Sequence, residues 1–472
     1  MASRSPGIFR RYRWTEFGLL ILPFFILLLA MTQLLLANSG AIQTSPLGNK
    51  YLPPLQGLIP VLGLIASLFG VHLLLSTFFR KADQVLFPLV GLLSGIGVLM
   101  ATRLGPDICI KLKTGQLACD TNLGSRQLLW VLIGLLVCMA TLFLLRNIHW
   151  LERYKYTAAL FGLVLVCTTL VNSLHANLDS PTHDQLNLGP FAFQPSELLK
   201  ICIVIFFAAY LSENRDILAG GNLRLGPLRL PPFRQLGPLA LMMGIALLFF
   251  LFVRELGLAL LLYGIFLCML YLGSGKLSYV VTSLAIFALL GYIGYIFFSY
   301  VRARFTVLGI DMVNFNTSPG SDLTYQNGGF QVVQGLIALA SGGILGAGLG
   351  LGHPTFVPVV QSDMVLTAIG EELGLSGLFA ILGIYLLIVY RGFRIAIEAT
   401  DTFSQLLAAG LTSIFAIQTL IIAAGNMKFL PLTGIPLPFL SYGGSSVIAN
   451  YIIIGMLLRI SHNTAVERDG TT

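Results

Sequence analysis

Charge is scarce in this chain. Asp, Glu, Lys and Arg make up 10% of its 472 residues, where a soluble domain carries about 25%. Hydrophobic residues make up 56%, and the mean hydropathy is +0.86. That balance excludes a soluble globular enzyme and predicts an all-α, polytopic membrane protein, because lipid offers the backbone no hydrogen bonds and each spanning segment must satisfy its own. The sequence also lacks a GxxxxGK[ST] phosphate loop, a CxxC zinc pattern and an HExxH helix, and its six histidines are scattered. ATP hydrolysis and a structural zinc are therefore unsupported. The net charge of +8 does not mark a nucleic-acid binder. Its basic residues sit in short segments between apolar runs, which is the charge bias of membrane topology.

Long apolar runs are abundant. At roughly 20 residues per crossing, twelve spans are read at about 16–37, 56–78, 86–103, 127–145, 156–174, 195–212, 237–253, 256–272, 279–298, 365–390, 406–424 and 440–459. With the N-terminus inside, 18 of the 28 Lys and Arg residues fall in inner segments, which predicts both termini in the cytoplasm. The run at 16–37 is longer than the ~7–15 residues of a signal-peptide core and reads as an uncleaved first helix. The longest segment between spans, about 299–364, falls outside. It holds a polar, turn-rich run (314–322) and then Gly328–Gly343, whose apolar and small residues predict a short helix on or in the membrane surface. Cys109 and Cys119 share another outer loop. Two readings fit them, a disulfide in an oxidising compartment or two free thiols.

Polar groups inside or beside spans need a reason. In Phe193-Gln194-Pro195-Ser196-Glu197-Leu198-Leu199-Lys200, Pro195 suits a first helical turn, and Glu197 and Lys200 are spaced to pair on one face. That pair is either structural or functional. Arg254-Glu255-Leu256-Gly257 forms an outer turn between two spans, either simply solvated or part of a site. Gln361-Ser362-Asp363 closes the long outer loop, and Glu371-Glu372-Leu373-Gly374 lies two turns deeper, with Arg302, Arg304 or Lys200 as expected partners. A carboxylate at such a partly dry boundary suits a general base, and equally suits stabilisation by a helix dipole. The densest signal is Asn426–Ser446, where Pro431, Pro436, Pro438, Gly434, Gly443 and Gly444 break any helix between two apolar runs. Irregular backbone at membrane depth is tolerated where protein buries it or where it lines a polar cavity. The stretch therefore reads as a pocket wall, a device transporters also use.

Taken in order, FQPSE-x-x-K (193–200), x-E-L-G (254–257), GG-x-x-G-x-G-x-G (342–350), Ser362-Asp363, E-E-L-G (371–374) and N-x-x-x-x-L-P-x-T-G-x-P-L-P-F-x-S-Y-G-G-S-S (426–446) resemble the RodA/FtsW/SpoVE, or SEDS, family. The resemblance covers about residues 86–460, with 1–85 as an extra two-helix segment and 461–472 as a tail. It implies a peptidoglycan glycosyltransferase of the bacterial plasma (inner) membrane that polymerises lipid II on the outer face and works with a class B penicillin-binding protein. It implies Asp363 as the catalytic acid. It implies substrate contacts from Gln194, Glu197, Lys200, Glu255, Ser441, Gly443, Gly444 and Ser445. The chain departs from the family pattern at Arg254-Glu255-Leu256-Gly257-Leu258, where Pro-Asp-Leu-Gly-Thr is usual, and at Asp184-Gln185, Ala192 and Ala347. Several basic groups expected near a diphosphate are absent, and Arg254, Arg302 and Arg304 are the candidates to replace them.

The expected chemistry is attack by the 4-hydroxyl of an acceptor sugar on the anomeric carbon of a donor, with undecaprenyl diphosphate leaving. Asp363 takes the proton, and basic groups, with a divalent cation such as Mg or Mn as a candidate, offset the charge on the diphosphate. Two other classes fit the same cavity. A flippase for lipid-linked precursors tolerates loss of Asp363 if the cavity survives, and a non-catalytic scaffold for a partner synthase is indifferent to it.

Overall fold

The computed structural model describes residues 13–41, 54–111, 117–119, 122–175, 186–188, 191–215, 223–225, 228–230, 255–310 and 329–470, with residues 237 and 244. In chain order the helices are α1 (Trp14–Ala41), α2 (Pro54–Phe78), α3 (Leu86–Leu104), α4 (Leu123–Leu144), α5 (His149–Arg153), α6 (Lys155–His175), α7 (Pro195–Glu213), α8 (Leu256–Ser274), α9 (Leu277–Phe297), α10 (Ser299–Thr306), α11 (Phe330–Gly342), α12 (Val365–Glu398), α13 (Thr402–Asn426) and α14 (Gly444–Gly470). Among the described residues, ten of these are long and apolar enough to cross a membrane. The span expected at 156–174 is α6, whose apolar part is shorter, and the span expected at 237–253 lies outside the described residues. Short antiparallel ladders pair Cys109–Lys111 with Leu117–Cys119, Leu186–Leu188 with Phe191–Phe193, and Leu223–Leu225 with Leu228–Leu230. The first sets Cys109 opposite Cys119 in the backbone register. Their side chains lie outside the described residues, so both thiol readings stand.

The helices differ sharply in what surrounds them. α7 is buried along nearly its whole length, packed by α6, α8, α13 and α14, and forms the axis of the bundle. α9 buries only Tyr279 and Gly294. An apolar surface gains little by leaving lipid for another helix, so close packing between spans falls to small residues that let neighbours approach. Gly97 of α3 shows how closely, since a Cβ there would stand 2.5 Å from the Phe439 carbonyl oxygen.

The two N-terminal helices dock on α3 and α4. A buried ionic cluster fastens them. Arg13 Nε donates to Glu16 (2.8 Å), Glu16 Oε1 meets His72 Nδ1 (2.7 Å), and Arg13 also donates to the carbonyls of Phe79 (2.7 Å), Ala82 (3.0 Å) and Asp83 (2.6 Å). Removing one member of such a cluster leaves an uncompensated charge, at a cost of about 3–5 kcal/mol.

α12 is interrupted. At 34 residues it would run roughly 51 Å at 1.5 Å per residue, well beyond a ~30 Å hydrocarbon core. Gly374, with φ 68° and ψ −170°, breaks it near the end where it begins.

Candidate active site

The helix starts and ends at 104, 123, 195, 256, 297, 365, 426 and 444 gather at one end of the bundle, and the irregular stretch 427–443 lies across them. Its density of Pro and Gly is answered by structure. The chain leaves α13 at Asn426 and re-enters helix only at Gly444, with Lys428 and Phe439 at φ 64° and 65° and Gly434 at 69°. Side chains from several elements satisfy its exposed backbone. Gln418 Nε2 donates to the Pro436 carbonyl (2.7 Å), Tyr385 Oη to that of Pro438, Arg304 Nη1 to that of Leu432 (2.7 Å) and Gln127 Nε2 to that of Ser441 (3.3 Å). The expectation of buried, non-helical backbone at this depth is met.

This stretch holds Asp363 from behind. Ser441 Oγ donates to the Ser362 carbonyl and accepts from the Leu437 amide (2.7 Å), and the Tyr442 amide donates to the Gln361 carbonyl (2.8 Å). Asn426 Nδ2 donates to the Asp363 carbonyl (3.2 Å). The Asp363 carboxylate is partly buried. It accepts from Gln331 Nε2 at 3.3 Å to each oxygen, and from Ser362 Oγ at 3.1 Å. Burial pushes this carboxyl above the ordinary carboxylate range, while the Ser362 hydroxyl, its own amide, Gln331 and the charge of Arg304 pull down without cancelling the rise.

Deeper in, Lys200 Nζ lies 2.7 Å from Glu197, as the three-residue spacing predicts, and donates to Gln418 Oε1 (3.1 Å) and Asn450 Oδ1 (3.5 Å). The pair is sealed, with side chains 1% and 5% exposed. At the rim, the Gln194 amide donates to Ser445 Oγ (2.9 Å), joining α7 to α14. Gly444 makes room for Trp130, whose ring would lie 2.4 Å from a Cβ there, whereas a Cβ on Gly443 would meet only Ser446, at 3.9 Å. Glu255 stands half-buried just before α8, and the next turn residue, Gly257, abuts the Thr433 carbonyl. Arg254 lies outside the described residues.

Two expectations are corrected. Glu371 and Glu372 do not pair with Arg302, Arg304 or Lys200. Glu372 Oε1 accepts from Arg103 Nε of α3 (3.0 Å), and Glu371 Oε1 accepts from the His353 amide (2.7 Å). The reason is backbone geometry. Gly374 frees helical partners on both sides of the break, and the glycine loop 342–352 takes them up. The Ala347 and Gly348 amides donate to the Glu371 and Glu372 carbonyls (2.9 and 3.0 Å), while the Leu375 and Ser376 amides donate to the Gly343 and Ile344 carbonyls (2.9 and 3.1 Å). That contact admits no side chain, because a Cβ on Gly346 would stand 2.2 Å from the Glu372 carbonyl oxygen. Arg302 is likewise turned from the group around Asp363. It is exposed and donates to the Ile296 and Tyr295 carbonyls (2.8 and 3.5 Å) at the end of α9.

Gln331, Arg103, Gln127, Gln418 and Asn450 were not singled out from sequence, and Asn426 entered only as the first residue of the 426–446 motif. An ionisable Arg103 close to the end of an apolar run was a usable signal. Amides such as Gln331 and Gln418 give none until their partners are in place. Among the described residues no group of three or more His, Cys, Asp and Glu is arranged to hold a metal ion. Asp363 offers one carboxylate. A Mg²⁺-like ion commonly takes one or two carboxylates and fills its shell with water and substrate phosphates, so Asp363 fits as part of such a site.

A bundle of lipid-facing helices closing over a half-buried carboxylate and a Pro/Gly-rich wall defines a multi-pass membrane protein with a polar site at one end. The profile of a family described as "Cell cycle protein", FtsW/RodA/SpoVE, matches residues 83–466, and the chain belongs to that family. It is 36% identical over 404 residues to the peptidoglycan glycosyltransferase RodA of Mycobacterium leprae, covering 84% of this chain and 82% of that one. To the protein of the same name from Mycobacterium tuberculosis it is 37% identical, covering 84% and 81%. A solved structure described as "Structural coordination of polymerization and crosslinking by a peptidoglycan synthase complex" superimposes with a TM-score of 0.61 at 21% identity, over 81% of this chain and 98% of that one. The rod shape determining protein RodA of Thermus thermophilus gives 0.53 at 22% identity, over 81% and 97%. These two likenesses are of fold.

Proposed function

We propose that this protein is a peptidoglycan glycosyltransferase that polymerises lipid II into glycan strands for cell shape, elongation or division, with Asp363 as its general base. The Asp363 carboxylate supports this reading most directly. It is held by Ser362 and Gln331 at the bundle end, against a wall whose backbone is tied off by five other side chains. A base gains from a raised pKa and a fixed direction; burial raises the Asp363 carboxyl, and the Ser362 and Gln331 donors fix its direction. In the reaction, the acceptor 4-hydroxyl attacks the anomeric carbon of the donor sugar, its proton passes to Asp363, and the diphosphate leaves with both electrons of the broken C–O bond.

The family membership and the names of its relatives support the substrate. In this reading Arg304 and Glu255 face the diphosphate and its sugar at the rim with Gln194, Ser445, Gly443 and Gly444. Ser441 fixes the turn that bears Asp363, and Glu197 with Lys200 shape the floor. A divalent cation, if used, would be held in part by the Asp363 carboxylate and would supply positive charge to offset that of the diphosphate. The lysine and arginine bias supports a cytoplasmic position for both termini; in this reading Asp363 lies on the outer face of the plasma membrane, where a class B penicillin-binding protein crosslinks the product. Purified lipid II is the test, supplied to the protein with its cognate penicillin-binding protein. The wild type makes polymer and Asp363→Asn does not; polymer from Asp363→Asn at the wild-type rate overturns the assignment.

A further inference from the structure

At the opposite end of the bundle the chain encloses a second polar space, which the proposed chemistry does not use. The α4–α5 turn, the α12–α13 turn and the far part of α14 surround a cavity of about 390 Å³, a size typical of ligand pockets. Arg459 in its wall lies four turns along α14 from Gly444, roughly 22 Å from the Asp363 end. Arg146 and Arg459 contribute the basic side of the lining, with His462 beside them and His149 paired to Glu152 (3.2 Å).

Two observations make this space an anion receptor. First, neither Arg146 nor Arg459 pairs with a carboxylate among the described residues, although both line the cavity. The acids of the wall are engaged locally. Asp401 accepts from the Ser404 amide (2.8 Å) as the cap of α13, and Glu467 accepts from Thr400 Oγ1 (2.5 Å). Second, Arg459 Nε and His462 Nδ1 are buried without a hydrogen-bond partner among the described residues. Arg459 is nonetheless held in place, since its Nη2 donates to the Arg146 carbonyl (2.9 Å) and its guanidinium lies 5.5 Å from the Phe79 ring centre. A fixed guanidinium with an unused edge matches the planar, multidentate demand of phosphate oxygens.

The position of the cavity narrows the ligand further. Leu144, 78% exposed, ends the apolar face of α4 beside it, and Trp150, 63% exposed, follows on α5. An exposed apolar edge with a neighbouring Trp marks the level of lipid head groups. We propose that the Arg146–Arg459 cavity binds a phosphate-bearing anion at the membrane boundary, supplied either by an anionic phospholipid head group or by a phosphorylated solute.

The test uses the purified full-length protein in detergent, followed by native mass spectrometry. It is titrated separately with short-chain phosphatidylglycerol, phosphatidylcholine of the same chain length, and inorganic phosphate. The wild type holds one phosphatidylglycerol more tightly than phosphatidylcholine, and Arg146→Gln weakens it about fivefold, the effect of one basic group at an anionic surface. Displacement of that lipid by inorganic phosphate places both in one site. Phosphate binding that Arg146→Gln weakens, with no preference for phosphatidylglycerol, assigns the site to a phosphorylated solute. Arg146 is exposed, and only its main-chain carbonyl takes part in the contact with Arg459, so Arg146→Gln is expected to fold even if Arg459→Gln does not. Unchanged binding of both probes in Arg146→Gln, or no binding of either by the wild type, overturns the proposal.

Discussion

Asp363 and the Glu197–Lys200 pair lie at the same end of the bundle, and both drew attention as charges in an apolar chain. Their surroundings differ in kind. Asp363 is reachable, its carboxylate is held only by neutral donors, and Arg304 acts on it from a distance. Glu197 and Lys200 neutralise each other, Lys200 adds Gln418 and Asn450, and the pair is sealed away from the surface, so a substrate at the rim does not reach it. The first arrangement keeps a proton acceptor in reserve. The second spends its charges on joining α7 to α13 and α14 through the centre of the molecule. A buried ionisable residue is thus a poor guide to chemistry until its partners are counted.

The largest effect that separates the two belongs to Asp363→Asn. Loss of a general base costs about 10²–10⁴-fold in rate, and glycan assays on the purified complex should read that loss while the fold stays intact. Because the folded carboxyl is raised by burial, the folded state holds its proton more tightly than the unfolded chain. The stability this group contributes is complete below the usual carboxylate pKa and is lost as pH rises through the folded value. Asp363→Asn therefore melts at or above the wild-type temperature at neutral pH, and a mutant that melts lower shows that Asp363 is mainly structural.

Next comes Lys200→Met. Leaving Glu197 buried alone should cost about 3–5 kcal/mol, read as lost folded yield in membranes. Glu197→Gln with Lys200→Met should recover much of it. If the double mutant folds well yet makes no polymer, the pair serves the substrate directly and the contrast with Asp363 collapses.

A third, smaller change sharpens the view of Asp363. Gln331→Leu removes donors that hold the carboxyl down. The acid limb of the pH–rate profile should move to higher pH, with the plateau rate nearly kept. An unmoved limb means that Asp363 ionisation does not set it. Smallest of all is Arg302→Ala. Its guanidinium caps the exposed end of α9, a contact worth about 0.3–1 kcal/mol, so polymerisation should stay close to wild type. A large loss of activity would put Arg302 back at the diphosphate.

Much of this end of the molecule was legible in sequence, for identifiable reasons. The irregular wall at 427–443 announces itself because Pro and Gly act locally on the backbone. The Glu197–Lys200 pair is legible because its partners are one helical turn apart. Asp363 was found by resemblance, since a lone acid after a loop is otherwise ambiguous. Arg103 with Glu372 was not legible, because 269 residues separate the partners. The break at Gly374 was hidden too. The apolar pattern runs through it without interruption, and the bonds that replace the helical ones join main-chain atoms, which carry no side-chain signature. Only the glycines at 346 and 348 hinted at them.

That exchange at Gly374 also bears on how the protein is made. Residues 371, 372, 375 and 376, on both sides of the break in α12, are stitched to a loop that precedes them in the chain, so synthesis supplies the loop before the helix that bonds to it. The segment behind Asp363 can thus take its final form as soon as residues 371–376 emerge, with only α3, already made, needed to add the Arg103 contact. The closing wall at 427–443 arrives later and locks a turn that is already shaped. Assembly of the reactive end then proceeds in the order of translation, and a chain stopped after α12 should already protect the Ala347 and Gly348 amides from exchange with water.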